Sequence, residues 1–119
     1  MGKMMSVAQI CTAQDIGEGA TWTSEPIMIE RASSFSLMVT ALTGTTIDGI
    51  TVTYSIGTAP DGTFIVPAGA TAIFTALKVA GVASFTPVMA PFIKFIVQNL
   101  DAGDHVVPSI KFIWQEDVT

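Results

Sequence analysis

The stretch APFIKFIVQNLDAGDHVVPSIKFIW, Ala90 to Trp114, decides how this chain is read. Ile93, Phe95 and Val97 alternate with Lys94, Ile96 and Gln98, and Ile110, Phe112 and Trp114 alternate with Lys111, Ile113 and Gln115, the period of two that marks strands. Between them, Asp101-Ala102-Gly103-Asp104 carries turn chemistry. The two runs read as the arms of a hairpin that turns one clean apolar face to a core. Its opposite face is mixed, with Phe92, Ile96 and Ile113 standing among Lys94, Lys111, Ser109, Gln98 and Gln115. Single exposed apolar residues are ordinary, so this second face is either solvated or covered by a neighbouring subunit or by the N-terminal segment.

Composition sharpens the question. The chain has 119 residues, 50% of them hydrophobic and only 13% charged, where about 25% charged is usual. So few charges leave an exterior of Ser, Thr, Gly and Ala, or one hidden against another surface. From Gly62 to Leu100 there is no acid in 39 residues, while all ten acids lie in the flanking segments. That acid-free third is expected to be the most buried part of the molecule, through its own fold or through a partner.

The net charge of -5 and the scattered positions of Lys3, Arg31, Lys78, Lys94 and Lys111 argue against nucleic acid, which demands a basic stripe. Cys11 is the single cysteine, so no internal disulfide forms. The apolar run after Lys3 breaks at Gln9, which does not suit a signal peptide. Uncharged runs such as Gly62 to Leu77 contain Pro67 and Gly69 and fall short of the roughly 18 residues of a membrane span. Neither secretion by a signal peptide nor a membrane partner is expected.

Alternation recurs upstream. Ile27 and Ile29, then Phe35, Leu37 and Val39, then Ile50, Val52, Tyr54 and Ile56 form inward rows, with Ser and Thr supplying much of the outward rows. Thr43-Gly44-Thr45, Asp48-Gly49, Pro60-Asp61-Gly62 and Pro67-Ala68-Gly69 separate the runs as turns. This spacing predicts an all-β chain, an antiparallel β-sandwich or jelly-roll-like single domain with an extended N-terminal arm. Residues 1–24 form the arm or an edge strand, and residues 25–119 form the sandwich. Thr71 to Ala83 fits either an amphipathic helix or two short strands. Trp22 reads as a clamp onto the sandwich.

No catalytic constellation emerges. His105 is the single histidine, and nothing in the sequence supplies a group to orient it as a base. Asp101, Asp104 and His105 are near enough to share a cation, but turn formation already accounts for Asp and Gly there. The stretch GTAPDG, Gly57 to Gly62, lacks the lysine and following helix of a phosphate cradle. The expectation is no catalytic residue, no cofactor and no metal, and hence a non-enzymatic binding or structural protein.

Two stretches resemble a known group. TVTYSIGTAPDGTFIVP, Thr51 to Pro67, and ASFTPVMAPFIKFIVQN, Ala83 to Asn99, are similar to small β-sandwich virion accessory proteins of tailed bacteriophages, the capsid decoration or cement and head-tail accessory proteins. The resemblance implies a structural subunit in the virion, assembled in the host cytoplasm. Its partner would be the major capsid protein or another virion subunit, and it would form a homo-oligomer, a dimer or trimer. The same cadence also resembles carbohydrate-binding and discoidin-like modules, for which Trp22, Phe64 and Trp114 would be the stacking residues. For the assembly reading, the expected protein contacts are Phe92, Lys94, Ile96, Lys111, Ile113 and Trp22, with the acid-free segment and the arm as the contact regions.

Overall fold

Alternating rows need a second apolar layer to face, and the chain supplies it by folding into two antiparallel sheets. The computed structural model describes residues 2–42, 48–69 and 71–118. Nine strands are present: β1 (Gly2–Cys11), β2 (Thr21–Thr23), β3 (Ile27–Met28), β4 (Ala32–Thr40), β5 (Ile50–Gly57), β6 (Phe74–Leu77), β7 (Gly81–Phe85), β8 (Phe92–Asn99) and β9 (Ser109–Val118). Sheet one runs β1-β9-β4-β7, and sheet two runs β2-β8-β5-β6 with β3 also paired to β8. Leaving aside the two-residue β3, this order of eight strands is that of a jelly roll.

The predicted inward rows meet in one core. Leu37, Val39, Ile110, Phe112 and Trp114 from sheet one pack with Ile50, Val52, Tyr54, Ile93, Phe95 and Val97 from sheet two, all buried. Tyr54 keeps its hydroxyl satisfied by accepting from the Val88 N–H at 3.1 Å. Ser24 closes the break between β2 and β3: its Oγ accepts from the Phe95 N–H at 2.8 Å and donates to the Glu25 carbonyl at 3.1 Å. Ser34, at φ 55°, lies where the register of β4 against β9 shifts between Ser33 and Ser36, a bulge that bends the strand.

The hairpin expectation is overturned. β8 and β9 do not pair; β8 lies between β5 and the β2–β3 edge of sheet two, and β9 lies between β1 and β4 of sheet one. The segment 100–108 carries the chain from one sheet to the other, pinned where Val106 bridges Ile16. A period of two reports which residues face inward but says nothing about whether two strands stand side by side or face to face. The two clean faces therefore oppose each other across the core, and the two mixed faces lie on opposite outer surfaces.

The acid-free segment is not buried throughout by its own fold. Its strand β8 is core, but Ile65, Val66, Val79, Val82, Val88, Met89 and Leu100 are exposed, the larger share of the big apolar residues open to solvent among those described. Within Thr71 to Ala83 the two-strand alternative holds, as β6 and the start of β7. The N-terminal residues supply an edge strand to each sheet, β1 and β2. The turn read at Thr43-Gly44-Thr45 lies outside the described residues.

Candidate functional site

Because β5 and β8 run antiparallel with Gly57 opposite Phe92 and Ile50 opposite Asn99, the sandwich has two distinct ends. At the Phe92 end, residues 58–73 link β5 to β6 and residues 86–91 link β7 to β8. Both loops are tied down through their backbones. Ile56 and Ile65 exchange N–H···O bonds of 2.9 Å, the Ile29 N–H donates to the Pro91 carbonyl at 2.7 Å, and the Tyr54 hydroxyl holds Val88. The side chains these loops present are apolar and exposed: Met89 at 96%, Ile65 at 64% and Val66 at 51%, joined by Val88 and by Met28 of β3. Ile65, Pro67, Met89 and Pro91 help to line a shallow groove of about 410 Å³ beside Ile56 and Gly57, and Met89 also borders a second, smaller groove with Ile29, Phe35 and the exposed Glu30. The loop side chains that form this end carry no acid from Gly62 onward. An exposed apolar patch on pinned loops can exclude water against another surface, with the exposed Glu30 and Asp61 left to its rim.

The sequence-predicted contacts do not converge on one surface. Phe92, Lys94 and Ile96 lie half-buried on the outer face of sheet two, where Ile96 stands between Thr23 and Thr53. Lys111 and Ile113 lie on the outer face of sheet one, Ile113 between Val7 and Ser36. Trp22 stands opposite Val97 and packs on the core. Part of the sheet-two face is covered by the chain itself: Lys94 Nζ lies 4.4 Å from the centroid of the Phe64 ring, a cation–π contact. Phe64 approaches the sheet over Gly57, where an added Cβ would come within 3.2 Å of its ring.

The three aromatic residues nominated for sugar stacking are likewise scattered. Trp114 is buried, stacked on Phe112 at 4.9 Å, and donates from Nε1 to Glu116 Oε1 at 2.8 Å. Trp22 joins the core, and Phe64 sits under Lys94. They form no common platform.

The opposite end is polar. Asn99, fully buried, donates from Nδ2 to the carbonyls of Ile16, Gly17 and Asp104 and accepts from the Asp101 N–H at 2.9 Å. Asp101 turns its carboxylate to the backbone N–H groups of Gly103, Asp104 and Asp48. Those donors, Gly103 foremost, hold its carboxyl below the usual range against the opposing effect of burial. His105 Nδ1 lies 2.8 Å from Asp15 Oδ1, and this bond, with the charges of Asp15, Glu18 and Asp104, raises the imidazole pKa above its ordinary value. Asp101 and His105 thus turn to different partners, Asp104 is held through its backbone, and among the described residues no group of three or more His, Cys, Asp and Glu side chains is placed to hold a metal ion. Cys11 is buried with its thiol 3.2 Å from the Pro108 carbonyl, and burial pushes its pKa up. No helix among the described residues is long and apolar enough to cross a membrane.

Sequence reasoning named the acid-free segment as a contact region but singled out none of the residues of the Met89 end, and it missed the Asn99 knot. The first had a signal in PVMAP, Pro87 to Pro91, where apolar residues bracketed by prolines belong to a loop and so cannot be core strand. Asn99, at a strand end before Asp101, has the composition of an exposed turn. No protein-family model matches the chain, and no curated protein matches it.

Proposed function

We propose that the protein is a structural, non-enzymatic subunit of a larger assembly, of the capsid decoration or cement type found in virions of tailed bacteriophages. The observation that carries this reading is the exposed apolar end formed by Met89, Ile65, Val66, Val88 and Met28 on backbone-pinned loops. A jelly roll is compatible with it, being used in viral shells, but the same fold serves lectins, and function follows from the exposed surface in place of the fold. Placed across a joint between shell subunits, such an end would bury on the order of 1,000 Å² with its neighbours and would stabilise the assembled state by mass action.

The test is to mix the purified protein with shells assembled from the major capsid protein of the same source genome. Wild type is expected to co-sediment with the shells and raise their disruption temperature. The double substitution Met89→Asp and Ile65→Asp should leave the fold intact, since both side chains are exposed, and should abolish co-sedimentation. Shells that ignore the wild-type protein, or bind the double variant equally well, overturn the proposal.

A further inference from the structure

The molecule has one sheet edge that is built differently from the rest. β2, β6 and β7 are edge strands of three, four and five residues, short in the manner that discourages pairing with other chains. β1 has ten residues, and among the described residues no strand pairs with its outer side. It contains no proline, and Lys3 is its single charged residue. Both of its faces carry exposed apolar side chains: Met5 at 66% and Val7 at 57% on the outer face, and Met4 at 56% on the other. A register shift between Gln9 and Cys11 interrupts its pairing with β9, which leaves Lys3 to Gln9 as the regular, symmetric segment available to a new strand.

We infer that β1 pairs antiparallel with β1 of a second copy of this chain, joining the two four-stranded sheets into one continuous sheet across a two-fold axis at Ser6. An axis normal to the sheet gives the two copies common faces, which requires one residue to oppose itself. Centring the segment Lys3–Gln9 makes that residue Ser6. Met5 then stands opposite the second copy's Val7, Met4 opposite Ala8, and Lys3 opposite Gln9. No like charges meet, although each copy carries a net charge of -5. On the outer face Val7 is already flanked by Ile113, so Met5, Val7 and Ile113 of both copies form one apolar cluster over the seam. Seven residues a side give a ladder roughly 24 Å long, with main-chain hydrogen bonds supplying the attraction and the alternate side chains the register. This deepens the assembly reading by naming how copies join, and it is tested on the purified chain with no shell present, so that its failure and that of docking through Met89 are separable.

Light scattering of the full chain is expected to give twice the 12.5 kDa chain mass. The double substitution Met5→Lys and Val7→Lys sets two like-charged pairs across the seam at exposed positions; it should return the mass to that of one chain with an unchanged circular dichroism spectrum. Oxidised Ser6→Cys should give a covalent dimer, and Gln9→Cys should not. A wild-type monomer, a dimer indifferent to the two lysines, or cross-linking through Gln9→Cys in place of Ser6→Cys overturns the inference.

Discussion

Phe95 of β8 and Phe112 of β9 meet edge to face across the gap between the sheets, with ring centroids 4.9 Å apart. Both are fully buried, and Phe35 and Phe85 extend the cluster around Phe112. Phe112→Ala should therefore cost about 4 kcal/mol in urea unfolding, the transfer loss plus the cavity left between rigid sheets. A loss below about 1 kcal/mol would mean that this contact does not hold the layers together.

Asn99 is the polar counterpart of that pair. Its two Nδ2 hydrogens are shared among three carbonyls, so Asn99→Ala removes both donors and the acceptor for the Asp101 N–H in a buried site and should destabilise by about 3 kcal/mol. Asn99→Asp keeps the shape but sets a carboxylate against those carbonyls. It should be less stable than the alanine variant at pH 7, and thermal melts of the two show whether the donors or the volume matter.

Gly49 has φ 111°, and an added Cβ would lie 2.6 Å from the Ala76 carbonyl carbon. Neither the strained backbone nor the backbone obstacle can relax without separating β5 from β6. Gly49→Ala is expected to cost about 3 kcal/mol or to prevent soluble expression. Gly19→Ala, at φ 62° with open space around it, should cost much less, and comparing their melting temperatures separates strain from collision.

The His105–Asp15 contact gives the stability a pH dependence of known sign. Because the folded imidazole pKa is raised above its unfolded value near 6.5, the contribution is complete below that value and is lost as pH rises through the folded pKa. Both side chains are largely exposed, so the effect is small and salt-sensitive. Melting temperatures should fall more between pH 6 and pH 8 in wild type than in Asp15→Asn; equal slopes would show that the pair is not formed in solution.

The inward rows were legible in the sequence because burial imposes a period of two on every strand. Leu37, Val39, Ile50, Val52, Ile93, Phe95, Ile110 and Phe112 lie where alternation places them. Strand partnership was not legible, since Phe95 and Phe112 look the same in sequence whether they are neighbours in one sheet or opposed in two. β1 showed weak alternation because Met4, Met5 and Val7 put apolar groups on both faces, the pattern of an edge and not of a half-buried strand. The acid-free run pointed to a covered region without saying whether its own fold or a partner covers it, so Met89 could not be singled out within it; a loop can be as free of charge as a core.

The placement of β9 also bears on how the fold is reached. In sheet one β9 stands between β1 and β4, with Lys3 opposite Asp117 and Ala32 opposite Glu116. Neither β1 nor β4 has the other as a neighbour, so two of the sheet's three seams wait for the strand that is made last. Loop closure over more than a hundred residues must precede the β1–β9 seam. Such non-local order makes for slow folding, in milliseconds to seconds. In that interval β4 is paired only with β7, and a chain halted before Ser109 would hold sheet two against a sheet one from which β1 is cut off.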